Sequence, residues 1–276
     1  CDWSSDVCSS DLIFLNPSGY DTMINQKAKY YFYKKGKEMI MKKYRFMALA
    51  LTAMMGTSAL AQEKIEATIS ADVVTNYIWR GQKLGEGSIQ PALGIAYKGL
   101  SLGAWGSFGI TNSDDTKEFD LTLAYTTGGF NVGITDYFFT NKEDEAKYFM
   151  YKAHETAHVW EANIGYDFGP LALQWYTNFA GADGANKSGK RAYSSYVELS
   201  APFKLGGLDW TGVIGAVPYA TSFYSDASGF AVTNVTVKAS KDLQITDKFS
   251  LPVYAQVTAN PSSQKAYFAL GFTLQP

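Results

Sequence analysis

The chain has 276 residues, with 24 Lys and Arg against 26 Asp and Glu for a net charge of −2, 15% aromatic residues and a mean hydropathy of −0.13. So modest a hydropathy excludes a bundle of membrane-spanning helices, and the weakly acidic balance excludes an electrostatic binder of nucleic acid. The only cysteines, Cys1 and Cys8, cannot make a disulfide scaffold of the rest of the chain.

In chain order, Cys1–Leu12 read as the translation of a sequencing-library adapter. Residues 13–40 are rich in Lys and Tyr and have no apolar period. They read as translated upstream DNA, with a disordered extension as the alternative, and both segments are set apart from the fold. A start at Met41 opens a signal peptide over 41–61. Met41-Lys42-Lys43-Tyr44-Arg45 supply positive charge, Phe46–Met55 a short apolar run, and Ala59-Leu60-Ala61 a small-x-small cleavage site before Gln62. The run is too short to span a bilayer as a helix, which needs ~20 residues. The mature region 62–276 then carries 16 Lys and Arg against 21 Asp and Glu, a net charge of −5.

From Gln62 onward the dominant apolar period is two. Leu121, Leu123 and Tyr125 alternate with Asp120, Thr122 and Ala124, and Trp160, Ala162, Ile164, Tyr166 and Phe168 with Glu161, Asn163, Gly165 and Asp167. The same holds for Phe249 to Val257 and for Ala266 to Leu274. Twelve such segments are expected, near 64–80, 88–98, 100–111, 117–128, 129–139, 157–169, 170–181, 191–203, 207–219, 229–241, 247–259 and 264–274. The ninth and tenth alternate poorly. All but the first run 11–13 residues, enough for the ~9–11 a tilted strand needs to cross a membrane and longer than the ~5–6 usual in soluble sheets.

Connections alternate in length. Short turns are expected at Lys98-Gly99, Gly128-Gly129, Gly169-Pro170, Leu205–Gly207 and around Asp242–Thr246. Longer polar loops are expected at Gly81–Gly87, Asn112–Thr116, Asn141–Thr156, Ala182–Lys190, Ala220–Ser228 and Asn260–Ser263. Tight periplasmic turns and longer extracellular loops are the layout of an outer-membrane barrel. The expected fold is therefore an all-β, antiparallel up-and-down transmembrane barrel of about twelve strands. Tyr77, Trp79, Tyr97, Phe119, Phe168 and Phe179 fall near strand ends, as interfacial girdle residues would, although β-core aromatics are the plain alternative.

The stretch Thr75-Asn76-Tyr77-Ile78-Trp79-Arg80-Gly81, followed by the loop Gln82–Ser88 and Gln90-Pro91, resembles the opening strand of the TorF porin family. Tyr77, Trp79, Arg80 and Gly81 carry that family motif, and the likeness in strand layout extends over the mature region. The resemblance implies an outer-membrane location and a porin-like role. Barrels of this kind commonly end on an aromatic residue read by the barrel-assembly machinery; here Phe268 and Phe272 have the right alternation, and Leu274-Gln275-Pro276 follow.

Alternation places Glu66, Asp72, Arg80, Asp120, Glu161, Asp167, Glu198 and Lys238 in the lumen, since a charge on the lipid face near the midplane costs ~2–4 kcal/mol for Arg or Lys. Two readings stay open for them. They line a narrow aqueous pore whose acidic excess favours cations, or they pair with one another, Arg80 above all, and brace a filled barrel.

His154-Glu155-Thr156-Ala157-His158 match H-E-x-x-H, a zinc site when both histidines lie on one helix face. His158 directly precedes an alternating strand and no third ligand follows, so a polar loop entering a strand is the expected reading. A Ser-based hydrolase is disfavoured because both histidines share one loop and no nucleophile elbow accompanies them. Asn234-Val235-Thr236 matches a glycosylation acceptor by chance. The loop at 141–156, with Tyr148, Phe149, Met150 and Tyr151, could fold into the lumen as a constriction or face an external partner. The expected function is a passive, non-enzymatic channel for ions or small hydrophilic solutes, working without a cofactor among outer-membrane lipid. A closed barrel with structural, adhesive or receptor loops is the alternative.

Overall fold

The computed structural model describes residues 65–112, 114–140, 146–247 and 249–276. The adapter, upstream and signal-peptide segments lie outside the described residues. Among the described residues every regular element is a strand. Twelve strands close into one antiparallel barrel. They are β1 (Glu66–Val74), β4 (Ser88–Tyr97), β5 (Leu100–Gly109), β6 (Lys117–Thr127), β7 (Phe130–Thr140), β8 (His158–Asp167), β9 (Ala172–Gly181), β10 (Ser195–Leu205), β11 (Leu208–Val217), β12 (Ala231–Thr246), β13 (Phe249–Asn260) and β14 (Lys265–Leu274). Each pairs with its chain neighbours, and β1 closes the cylinder against β14, with Asp72 opposite Thr273. The remaining two strands, β2 (Tyr77–Trp79) and β3 (Gln82–Gly85), form a hairpin of their own.

The period of two decides which way each side chain points, and pairing carries the assignment around the cylinder because directly opposed residues share a face. Leu123 opposes Ile134 and Tyr125 opposes Val132 on the outer face, while Thr122 opposes Thr135 inside, their hydroxyls 3.1 Å apart. The outer rows, among them Leu93, Leu102, Leu123, Ile164, Leu199 and Leu270, are apolar and exposed. The inner rows are polar or small: Thr68, Gly94, Gly103, Ala124, Asn163 and Gln174 sit at inward registers. A cylinder that pairs all its strands, turns an apolar face outward and keeps its polar face within satisfies lipid on one side and its own backbone on the other. This is a barrel of the bacterial outer membrane.

The connections between barrel strands at 98–99, 128–129, 168–171, 206–207 and after Thr246 lie at one end. The others, from the short 261–264 to those that hold the β2–β3 hairpin and the long loops, lie at the other. By the usual asymmetry the turn end is periplasmic and the loop end extracellular.

Three details differ from the sequence reading. The first segment is not one strand over 64–80: β1 stops at Val74, and the chain then turns inward as the β2–β3 hairpin. The turn placed around Asp242–Thr246 is absorbed into β12, which runs to Thr246. The poor alternation of the ninth and tenth segments has a local cause. The β11–β12 register shifts between Gly215 and Ala216, so Thr233 is an extra residue opposite that step.

Candidate functional site in the barrel interior

The β2–β3 hairpin turns on Arg80 and Gly81, both at positive φ (47° and 81°), as a two-residue primed hairpin turn requires. Gly81 has no alternative there. A Cβ on it would lie 1.8 Å from the carbonyl oxygen of Thr233, so the turn presses directly on the irregular stretch of β12. Its own carbonyl accepts a hydrogen bond from Asn260 Nδ2 of β13 at 3.0 Å. At the hairpin's base Tyr77 donates its hydroxyl to Glu118 Oε2 of β6 at 2.9 Å. The hairpin therefore reaches across the lumen, touching β6 on one side and β12 and β13 on the other.

Arg80 ends in a closed box. Its guanidinium donates Nη1 and Nη2 to the two carboxylate oxygens of Glu161, at 2.5 and 2.9 Å, and Nη1 also to the Tyr224 hydroxyl at 2.5 Å. The guanidinium carbon lies 3.8 Å from the ring centre of Tyr176, 4.6 Å from Trp79 and 5.0 Å from Tyr196, all within cation–π range. Tyr137 donates to Glu161 Oε1 and Tyr224 to Glu161 Oε2, each at 2.9 Å. Burial pushes the Tyr224 hydroxyl well above the usual phenol range, so it remains a donor to that carboxylate. Both charges are almost wholly buried, with side-chain exposures of 8% for Arg80 and 2% for Glu161. Two-pronged pairing, stacking and phenolic donors together offset the cost of taking both out of water.

The β11–β12 loop supplies the lid of this box. Tyr224 sits within it, Ser225 N donates to Gln82 Oε1 at 2.9 Å, and Ser225 Oγ accepts from Asn260 at 2.7 Å. The β9–β10 loop lies against it in turn, with Ala185 N donating to Ser222 Oγ. Inward side chains at this extracellular end, such as Ser88, Ser107, Asn178 and Thr258, are consequently buried. Toward the periplasmic end, inward residues such as Ala96, Ser101, Ala124 and Asn163 are half-exposed, and Glu66, Thr126 and Asp167 are exposed. The interior is packed in its extracellular half and accessible below.

The structure places the eight charges picked out by alternation as follows. Arg80 and Glu161 meet. Asp120 is buried beside Glu118 near the hairpin's base, and its Oδ1 has no hydrogen-bond partner among the described residues. Asp72 accepts from Thr273 Oγ1 at 2.7 Å, Glu198 accepts from the Tyr196 hydroxyl at 2.8 Å, and Lys238 Nζ lies 3.9 Å from the Tyr254 ring centre. Glu66 and Asp167 stand near the periplasmic mouth, where Asp167 accepts from Gly169 N. Of the motif residues, Tyr77 and Trp79 are not girdle residues. Both belong to the inward hairpin, and Trp79 packs edge-on to Tyr137 and Phe223. Period-two reasoning reaches Glu118 and Tyr196 through Asp120 and Glu198, two residues away on the same strands. Tyr224 is in a loop and has no such signal.

The second polar cluster lies outside the cylinder. The H-E-x-x-H residues are not on a helix. His154 sits in a turn at φ 67°, and His158 begins β8 on the outer face. There His158 is fully buried, with Nδ1 2.7 Å from Asp136 Oδ1 and Nε2 2.6 Å from the Tyr148 carbonyl oxygen. Tyr148 and Tyr151 pack on Phe119, Phe138, His158 and Trp160, all at outward registers. The described part of this loop, from 146 onward, thus covers the outer rim and does not constrict the lumen; the constriction comes from the β2–β3 hairpin.

A family model described as "Bacterial protein of unknown function (Gcw_chp)" matches residues 58–266. No curated protein matches the chain. Among solved structures it is similar to outer membrane protein OpdK from Pseudomonas aeruginosa (13% identity, 76% of this chain and 61% of that one, TM-score 0.33). It is likewise similar to Salmonella typhi OmpF, solved with daunomycin (11%, 78% and 98%, 0.33), and to outer membrane phospholipase A from Escherichia coli (10%, 81% and 95%, 0.35).

Proposed function

We propose that this chain, which belongs to the Gcw_chp family, is a narrow passive channel for ions and small hydrophilic solutes. The observation that carries the reading is the division of the lumen. An accessible, polar and small-residue lower half leads to a constriction built by a hairpin folded in from the wall. The likeness of Tyr77–Gly81 to the opening of TorF porins supports the same role. Arg80 is neutralised by Glu161, so the inward charges toward the accessible half, Glu66, Asp72, Asp167, Glu198, Asp209 and Asp242 against Lys204 and Lys238, are net acidic and favour cations. Solutes pass by diffusion, and the reading involves no catalysis and no cofactor.

The test is single-channel conductance of the refolded chain in a planar bilayer. Discrete steps with a cation-directed reversal potential in a salt gradient are expected. Steps that favour anions would refute the selectivity. Folded, inserted and silent protein would favour a second reading, a closed barrel acting through its loops, which the burial of inward side chains around the hairpin supports.

A further inference from the structure

We propose that the box around Arg80 is a binding site for guanidinium-type organic cations, with Arg80 as its tethered occupant. The site is a property of the walls around Arg80, so it stands on geometry alone and is open only when Arg80 is withdrawn. The walls belong to the barrel and its loop. Glu161 comes from β8, Tyr137 from β7, Tyr176 from β9, Tyr196 from β10 and Tyr224 from the β11–β12 loop. The hairpin contributes only the occupant and Trp79.

Partners other than Arg80 hold those walls. Tyr196 donates to Glu198 and accepts from Asn234 Nδ2 at 3.0 Å. Tyr137 and Tyr224 each bond Glu161 directly. Removing the guanidinium therefore leaves a carboxylate with two phenolic donors beside two tyrosine faces. A flat cation that stacks while donating two parallel N–H bonds matches that set. An alkali ion meets the carboxylate but has no N–H bonds to donate and no flat face to lay on the rings, and an anion meets Glu161 head on. Arg80 itself is delivered at a positive φ, a backbone conformation arginine rarely adopts. The box thus holds its guanidinium against a backbone preference, and a free alkylguanidinium carries no such constraint.

The test uses the refolded chain with Arg80→Ala and methylguanidinium chloride as probe, read as the melting temperature of the folded barrel against equimolar sodium chloride. At about 10 mM probe, the variant should melt roughly 2–4 °C higher than in sodium chloride. The parent chain, its box filled, should not respond, and the Arg80→Ala, Glu161→Gln double variant should lose the response. No rise in the single variant, or an equal rise in the double one, overturns the proposal. Should Arg80→Ala fail to fold alone, the readout becomes folded yield on refolding. Yield restored by methylguanidinium and not by sodium chloride supports the site; equal yields in both overturn it. Neither readout uses conductance, so a silent channel leaves this test intact, and failure here leaves the channel reading standing.

Discussion

Arg80 and Glu161 lie far apart in sequence, and inside the barrel the guanidinium meets both oxygens of that one carboxylate. The pair ties an inserted hairpin to the opposite wall and so joins two parts of the packed extracellular half.

Removing one member leaves a buried charge alone, which costs about 3–5 kcal/mol. Glu161→Gln should therefore lower the unfolding free energy by that order, read from urea titration in detergent or vesicles. In the conductance assay the same variant should show larger or more frequent openings, because the hairpin has lost its anchor. An unchanged midpoint would mean the ion pair does not hold the hairpin.

Gly81→Ala attacks the hairpin from its other side. The methyl group would collide with the Thr233 carbonyl at a positive φ, and the strain is of order 1–3 kcal/mol before any shift of the backbone. The barrel should still form while protease cleavage within 77–87 rises. Cleavage equal to the parent would show that the turn accommodates a side chain.

Neighbouring residues on β6 separate the two faces. Leu123→Arg places a charge on the lipid face and should cost ~2–4 kcal/mol if near the midplane. Ala124→Arg points the same charge inward, where ~0.5 kcal/mol is expected. Folding yield into vesicles checks the contrast, and equal penalties would contradict the facing derived from the register.

At the periplasmic mouth, Glu66→Lys combined with Asp167→Lys should move the reversal potential toward anions without altering the melting temperature by more than a few degrees. A potential that stays put would locate selectivity elsewhere in the lumen.

On the outer rim, His158→Ala removes the group that holds both Asp136 and the Tyr148 carbonyl, a loss of ~1–3 kcal/mol of local stability. Trypsin should then cut after Lys147 or Lys152 roughly ten-fold faster on intact vesicles. An unaltered rate would show that the aromatic packing suffices to hold the loop.

Much of this was legible in the amino-acid sequence because a barrel wall obeys a local rule. Period two depends only on adjacent residues, so Leu123 against Thr122 or Ile164 against Asn163 announces strand and facing together. Alternation of short and long connections depends only on spacing, and it oriented the barrel. Closure, with Asp72 opposite Thr273, follows once an antiparallel sheet must leave no edge in lipid.

The course of the segment after Val74, by contrast, depends on tertiary packing. Tyr77, Trp79 and Arg80 continue the alternation of the first strand, so nothing local distinguishes a strand leading to a loop from a hairpin turned inward. The choice rests on partners distant in sequence: Glu118, Glu161, Tyr176, Tyr196, Tyr224, Thr233 and Asn260. A buried arginine is tolerable only where such groups converge, and their convergence is a property of the closed cylinder. Local alternation specifies a membrane barrel and the faces of its strands; the packing of the closed cylinder fills its extracellular half, with the β2–β3 hairpin and the β11–β12 loop above it.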